Sequence, residues 1–525
     1  MAFRDLTSTT NATPIVTGDL CVVGGGIAGL LLAIRVARAG RKVIVLESGK
    51  KEFDSEIQNL NFVDDESGRY GRELSGRYRG LGGTSSRWGG RMIPLSDRDT
   101  DERPHVDLPA WPINIAGLDS YSDEIERFFG VANGPFDQTA MQGIGEDLLS
   151  DDSMEVRWAK CPAFTKCNVA TLLKRELQIT PNLEIWLDAT ACNFTVNRET
   201  GRLAELAARN SAGKTIHVVA KHYVLAAGTI ESTRLLLLMD RCADGQVFGK
   251  ASVLGHYFQD HLKIEVAEIA RAYANLTNRF FAYRFLNATR RDLHLELPHH
   301  AQEEAGTGSA FAYIAMDFAN GPLAGLKKLM QGLQRRQFNW KELSLLPQSA
   351  GILSKAAYWR LMRSQLYVPP DVKFKMMLCA EQLPNWQNTI SLSSATDILG
   401  IPKAKLDWRP MESEERTFRA TIARLRLYWE AAGLNLVCPL IWSWTALDND
   451  AAIIPYAEAC AHPSGTTRMG TDPKKSIVDA DLRCHAVPNL SVVSASVFPT
   501  AGSANPTFTI MKLAFFFADT YLAKS

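Results

Sequence analysis

Apolar runs cut by glycine and followed by helical periodicity recur at three places in the chain, and a different pattern fills the middle. In residues 21–29, CVVGGGIAG, an apolar strand ends at Val22 and Val23 and passes through glycine into a stretch whose Leu30, Ile34 and Ala37 fall on one helical face. After Gly40, KVIVLES is a second apolar strand that closes on Glu47. The stretch HYVLAAGTIESTRLLLL (222–238) predicts a buried strand, a small-residue turn over 226–229 and a helix beginning near Glu231. Residues 489–522 repeat the plan, with a strand, a small-residue loop and a helix opening at Pro506, where the missing N–H of proline costs nothing. Between 263 and 453 the stretches KFKMMLCAE and TISLS alternate in strand fashion, and a basic helical stretch lies near 325–365. Within it GLKKLMQGLQRRQFNWKEL reads as a solvated charged face, with an amphipathic membrane or partner helix as the alternative. No run of eighteen apolar residues and no fixed-period repeat occurs.

The first of these patterns carries chemistry. Gly24, Gly26 and Gly29 stand in G-x-G-x-x-G spacing between strand and helix, the context in which such glycines hold a dinucleotide. The first permits the turn, the second admits a pyrophosphate to the backbone, and the third lets helix and strand pack closely. Glu47, eighteen residues past Gly29, can bind both hydroxyls of an adenosine ribose, which favours a free 2′-OH over NADP. The fingerprint leaves NAD and FAD both open. RGLGGTSSRWGGRM (79–92), with Gly83, Thr84, Trp88 and Gly89, is too glycine-rich for an element interior, and its reading is close backbone approach to a flat ligand. Ala227 and Gly228 form the small turn of a second nucleotide contact.

Composition narrows the function classes. At 525 residues the chain exceeds the size of one hydrophobic core, so two or more domains with a cleft between them are expected. Lys plus Arg (58) balances Asp plus Glu (57), a formal charge of +1 that offers nothing to nucleic acid or an anionic membrane. The nine cysteines are odd in number and dispersed, as reduced thiols would be. Cys161 and Cys167 form the one close pair and lack further partners at metal-like spacing, so no metal site is expected. The N-terminal residues lack a basic region followed by an apolar core, and a cytoplasmic location is expected.

Six motifs in order, GGGIAG…VLESG, GGTSSRWGGRM, AAGTIESTRLLL, LGHYFQDHL, HPSGTTRMG and SVFPTAGSANPT, make the chain resemble the glucose–methanol–choline (GMC) family of FAD-dependent oxidoreductases. Its bacterial branch of pyranose 2-oxidase, glucoside 3-dehydrogenases and glycoside or aminoglycoside oxidases is the most similar. The resemblance implies an α/β fold: a Rossmann-like FAD domain (1–100, 180–262 and 454–525), a substrate domain with a mixed or antiparallel sheet (263–453) and a helical connecting segment (101–179). It implies His462 as general base and Asn505 as the residue orienting the hydroxyl, with cofactor contacts at Ala495, Pro506 and Thr507, where the positive helix end would face a flavin ring. Arg87 stands where some members carry the histidine that attaches FAD, which implies noncovalent FAD, and Ser494 replaces the acid or glycine of many members. His261 and Asp260 are expected to brace a domain joint, and Trp386, Trp442 and Trp444 either to wall a sugar ring or to lie in the core. The implied reaction is oxidation of a CH–OH group of a sugar, glycoside or aminoglycoside, with O2 or another acceptor taking the electrons. A flavin-bound lyase, a nucleotide-binding scaffold without catalysis, and an enzyme acting on a sterol or aliphatic alcohol are the alternatives.

Overall fold

The computed structural model describes residues 3–8, 13–249, 252–318, 331–332, 350–448 and 450–524. Strands β1 (Phe3–Asp5), β2 (Ile15–Val23) and β3 (Val43–Leu46) open a first sheet, and β4 (Glu155–Cys161) leaves for a second. Strands β5 (Leu183–Leu187), β6 (Thr190–Val196), β7 (Leu203–Arg209) and β8 (Thr215–Leu225) return to the first. The order across it is β1-β5-β3-β2-β8-β7-β6, parallel from β1 to β8 and antiparallel beyond, with Leu490–Val492 added in parallel beside β8. All four residues of β3 are buried, as are Leu20 to Val23 at the end of β2, which explains why both read as unbroken apolar runs: a parallel sheet is covered on both faces. Helix α1 (Ile27–Arg38) provides part of that cover and buries nine of its residues, from Ala28 to Ala37. Helix α2 (Thr229–Cys242) follows β8, and α3 (Pro506–Lys524) ends the chain.

The second sheet is antiparallel and is built on β9 (Leu262–Ile269), β10 (Thr289–Glu296), β11 (Ala310–Asp317) and β12 (Lys373–Ala380), in the order β10-β11-β12-β9, with β4 on the free side of β10. Its two faces differ. Leu293, Leu295, Ala312, Ile314, Met376, Leu378, Ile264 and Val266 belong to a second hydrophobic core, separate from that of the first sheet. The register places Asp292 and His294 of β10 beside Ala159 and Arg157 of β4, His294 beside Tyr313, Tyr313 beside Met377, and Cys379 beside Lys263, all on the opposite face. Strand alternation therefore gives one apolar and one chemically varied face.

Two boundaries differ from expectation. Segment 101–179 holds short helices but also supplies β4, whose Val156 and Trp158 enter the second core, so it is part of the second sheet as well as a connector. The hairpin Thr389–Thr396 and Pro402–Asp407, expected within the substrate domain, pairs with Asp64–Asp65 and is tied to α2 by a buried Arg234–Asp397 ion pair of 2.9 Å. Helix α2 begins at Thr229, two residues ahead of Glu231. Most of the basic stretch at 325–365 lies outside the described residues, which include helix Ala350–Met362. No described helix is long and apolar enough to cross a membrane.

Candidate active site

A cleft runs over the C-terminal ends of β2, β3 and β8, the place where open α/β sheets bind ligands. At its inner end the turn after β2 holds Gly24 at φ 110°, a left-handed conformation, and a Cβ there would lie 2.6 Å from the Ala226 carbonyl oxygen. A Cβ at Gly29 would overlap the Gly24 carbonyl oxygen, so this glycine seats α1 on the turn and does not line the cleft. Gly26 caps α1 without a side chain, leaving the first N–H groups of the helix turned to the cleft. Glu47 accepts from the N–H of Gly25 at 2.7 Å and of Gly49 at 2.8 Å. Burial pushes its carboxyl up, against the opposing pull of those N–H groups and of Arg79.

Arg77 and Arg79, which the sequence motifs did not single out, also line this end. Arg79 bonds Asn61 at 2.9 Å, Ser48 at 3.1 Å and Glu231 at 2.7 Å. Burial and the neighbouring Arg79 bring Arg77 down to about 10. Burial opposes ionisation of Glu231, yet Arg234, Arg79 and Arg77 outweigh it and bring that carboxyl down to about 2. A half-buried guanidinium, Arg77, and a buried one, Arg79, beside a bare helix N-terminus suit the pyrophosphate of a dinucleotide, and Glu47 suits its ribose. Gly83, Thr84 and Trp88 line the middle of the cleft, and Ala227 with Gly228 its floor. Ala495, Pro506 and Thr507 close it near the start of α3, where Ser494 bonds Ser496 at 2.6 Å. Gly89 is outside the cleft, its carbonyl held by Arg290 at 3.1 Å. These residues fit FAD.

The outer end is assembled from distant segments. His462 lines the cleft, and its Nε2 is 3.4 Å from the Nδ2 of Asn505. The Oδ1 of Asn505 is buried without a partner among the described residues. Asn505 ends a loop that is held from behind: the Gly502 N–H donates to Glu381 at 3.0 Å, and Glu381 is clamped by both arms of Arg103 at 2.7 and 2.8 Å. The backbone N–H of His462 donates to Asp260 at 2.8 Å, and the Tyr70 hydroxyl donates to the other Asp260 oxygen at 3.0 Å. Burial raises Asp260 to about 7.

His261 does more than brace a joint. It is 1% exposed, and its Nδ1 is 3.0 Å from the Nδ1 of His462, so the two rings share one proton. Its other neighbour is Cys379, whose Sγ lies 3.6 Å from that of Cys460. Burial, then the charges of His261, Arg91 and Lys263, hold His462 well below the ordinary imidazole range, so it is neutral. Burial disfavours charge on His261 as well, but Cys379, Asp260 and Glu381 outweigh it and raise that ring. The three tryptophans considered for a sugar wall take no part in the cleft: Trp386 stacks on His256 at 3.5 Å, Trp444 meets Tyr456 edge-on, and Trp442 lies under Arg426. Arg87 lies over Tyr78 and Phe53.

A dinucleotide cleft on a doubly covered sheet, lined at one end by a neutral histidine, suits an oxidoreductase that uses a dinucleotide cofactor. The comparisons agree. Residues 384–514 match the GMC oxidoreductase model and residues 19–56 an FAD binding domain. The chain is 23% identical to 6'''-hydroxyparomomycin C oxidase of Streptomyces lividus, covering 94% of this chain and 89% of that one. It is 22% identical to 2-methyl-1,2-propanediol dehydrogenase of Mycolicibacterium austroafricanum, covering 94% and 93%. Pyridoxine 4-oxidase from Mesorbium loti shares the fold at a TM-score of 0.59 and 17% identity, over 96% of this chain and 99% of that one. The chain thus carries a GMC oxidoreductase domain over residues 384–514 and an FAD-binding segment over 19–56, and is similar over nearly its whole length to named oxidases and dehydrogenases.

Proposed function

We propose that the enzyme oxidises a CH–OH group, a ring hydroxyl of a sugar, glycoside or aminoglycoside, to a carbonyl, with His462 as general base and Asn505 orienting the hydroxyl. FAD, when bound, supplies the acceptor for the hydride. The observation that carries this reading is the neutral His462 Nε2 facing Asn505 at the outer end of the cleft. A base must present a free Nε2, so the shared proton belongs on Nδ1 of His462 and Nδ1 of His261 accepts it. His261 is thus a positioning residue that sets the tautomer. An imidazolium at His261 would donate in the opposite sense and drive the His462 proton to Nε2, disarming it. The Nδ2 of Asn505 donates to the substrate oxygen while its unpartnered Oδ1 is free to accept from a second substrate hydroxyl.

FAD is held noncovalently in this reading. Among the described residues lining the cleft there is no cysteine, and the lining histidine is His462 itself. Ring-bearing substrates are supported by the paromomycin-type compound named for one relative, whereas the open-chain diol named for another favours the aliphatic-alcohol alternative. The nine free thiols suit the reducing cytoplasm. The test is the visible spectrum of the anaerobic holoenzyme as sugars, glycosides, aminoglycosides and a sterol are added in turn. Bleaching by a ring alcohol supports the reading, and readmitted air separates O2 from another acceptor. A holoenzyme bleached by no alcohol overturns it in favour of the lyase.

A further inference from the structure

The varied face of the second sheet looks toward the catalytic histidine. Cys379, on that face, meets Cys460, and the Cys460 N–H donates to the His261 carbonyl at 2.8 Å. On the same face, two strands away, Asp292 is 2% exposed and receives two guanidiniums: Arg91 Nε at 2.8 Å and Arg290 Nε at 2.8 Å. Each arginine covers a tyrosine ring, Arg91 at 4.8 Å over Tyr313 and Arg290 at 4.7 Å over Tyr283. Among the described residues Asp292 is the one carboxylate paired with either, so the cluster keeps a net charge of +1. Arg290 turns its Nη2 to Asp292 and to the Gly89 carbonyl, whereas Arg91, 24% exposed, commits its Nε alone. The two Nη groups of Arg91 and the hydroxyls of Tyr283 and Tyr313 have no partner among the described residues. Arg91 is three residues past Trp88, which lines the cleft, and its partner Asp292 stands on the sheet face that carries Cys379, the neighbour of His261. A guanidinium with both Nη groups open, lying over the Tyr313 phenol, is a receptor for an oxyanion, and it repels an ammonium.

Resting on the alcohol-oxidation reading, we propose that the substrate carries an acid group, a carboxylate or phosphate, which Arg91 receives while the reacting hydroxyl lies between His462 and Asn505. The inference narrows the substrate class. A polycationic aminoglycoside would meet a site of its own sign, so an acid-bearing ring alcohol is the better match despite the relative's name. Asp292 fixes the guanidinium so that its direction costs little entropy on binding.

The experiment uses oxidised, FAD-loaded enzyme and calorimetric titration with four probes: methyl glucoside, methyl glucuronide, glucose 6-phosphate and glucosamine. One of the two acids is expected to bind about ten- to a hundredfold more tightly than methyl glucoside, with glucosamine weakest and the acid advantage shrinking in high salt. Whichever acid leads distinguishes carboxylate from phosphate. Arg91→Met, which keeps the stem, is expected to abolish the advantage with the flavin spectrum unchanged, and Arg91→Lys to restore part of it. Equal binding of neutral and acid probes, stronger binding of glucosamine, no binding of any probe, or an advantage that survives Arg91→Met each overturns the proposal. Anaerobic spectra separate it from its premise. Acid-selective binding with a flavin that no alcohol bleaches sinks the oxidation reading and leaves the anion site standing; bleaching by neutral or cationic alcohols alone does the reverse.

Discussion

The two ends of the cleft are built on opposite principles. At the nucleotide end many of the working atoms are backbone, supplied together with Glu47 by one short stretch from Gly24 to Gly49 and joined by the side chains of Arg77 and Arg79. At the catalytic end they are side chains, and the partners of the His462–His261 contact are 201 residues apart in the chain. A backbone site tolerates few changes of shape and many of chemistry, whereas a side-chain site is the reverse. Substitutions at the first end should therefore act on stability and FAD content, and at the second on rate.

The sharpest contrast is expected from His462→Ala. Flavin reduction by substrate should slow by about a hundredfold to ten-thousandfold while FAD content and unfolding midpoint stay near wild type. Loss of FAD in that variant would erase the difference between the ends. Gly29→Ala should do the opposite. The added carbon collides with a backbone carbonyl oxygen that cannot yield, so a loss of about 1–3 kcal/mol in stability and a low FAD-to-protein ratio are expected. The molecules that retain FAD should reduce at a near-normal rate in single-turnover mixing.

His261→Asn probes the catalytic end without touching substrate. His261 is raised above its ordinary value, so in the wild type it is charged at low pH and loses its proton as pH rises. Flavin reduction should accordingly climb through a limb above the ordinary imidazole range, because only neutral His261 accepts the Nδ1 proton of His462. In the variant the rate should fall about tenfold and the limb should move or vanish, with KM nearly constant. A pH profile identical to wild type would assign the limb elsewhere. The smallest effect is expected from Glu47→Gln: about tenfold weaker FAD binding in a titration of apoenzyme, and a normal rate once FAD is saturating.

This division also explains what could be read from sequence. The turn at Gly24, the strand closing on Glu47 and the helix at Pro506 were legible because local glycine, proline and apolar spacing encode them. His462 and Asn505 were reached through the motifs around them, and the structure brings them within 3.4 Å. His261 was assigned to a joint because nothing in QDHL reveals a contact made across two hundred residues. Arg77, Arg79, Arg91 and Asp292 were missed for the same reason: arginines and aspartates at single positions have no period and no turn chemistry. Trp386 and Trp444 misled in the other direction, since aromatic residues suggest a ring-binding wall yet both are exposed away from the cleft. The excursion of β4 into the second sheet was hidden because one strand among short helices leaves little alternation to detect.

The second sheet turns its core residues one way and Arg290, Asp292, His294, Tyr313 and Met377 the other, with the flavin chemistry housed on a separate sheet. Apart from the ion-paired Asp292 and Glu296 and the Cys379 that neighbours His261, heritable change can therefore rewrite alternate residues of four strands while the core beneath and the redox apparatus opposite keep their sequence. Diversification of such a scaffold amounts to repainting one wall of a room, and a laboratory library confined to those alternate positions should retain folded, yellow protein in most of its members while spreading over alcohols of differing charge.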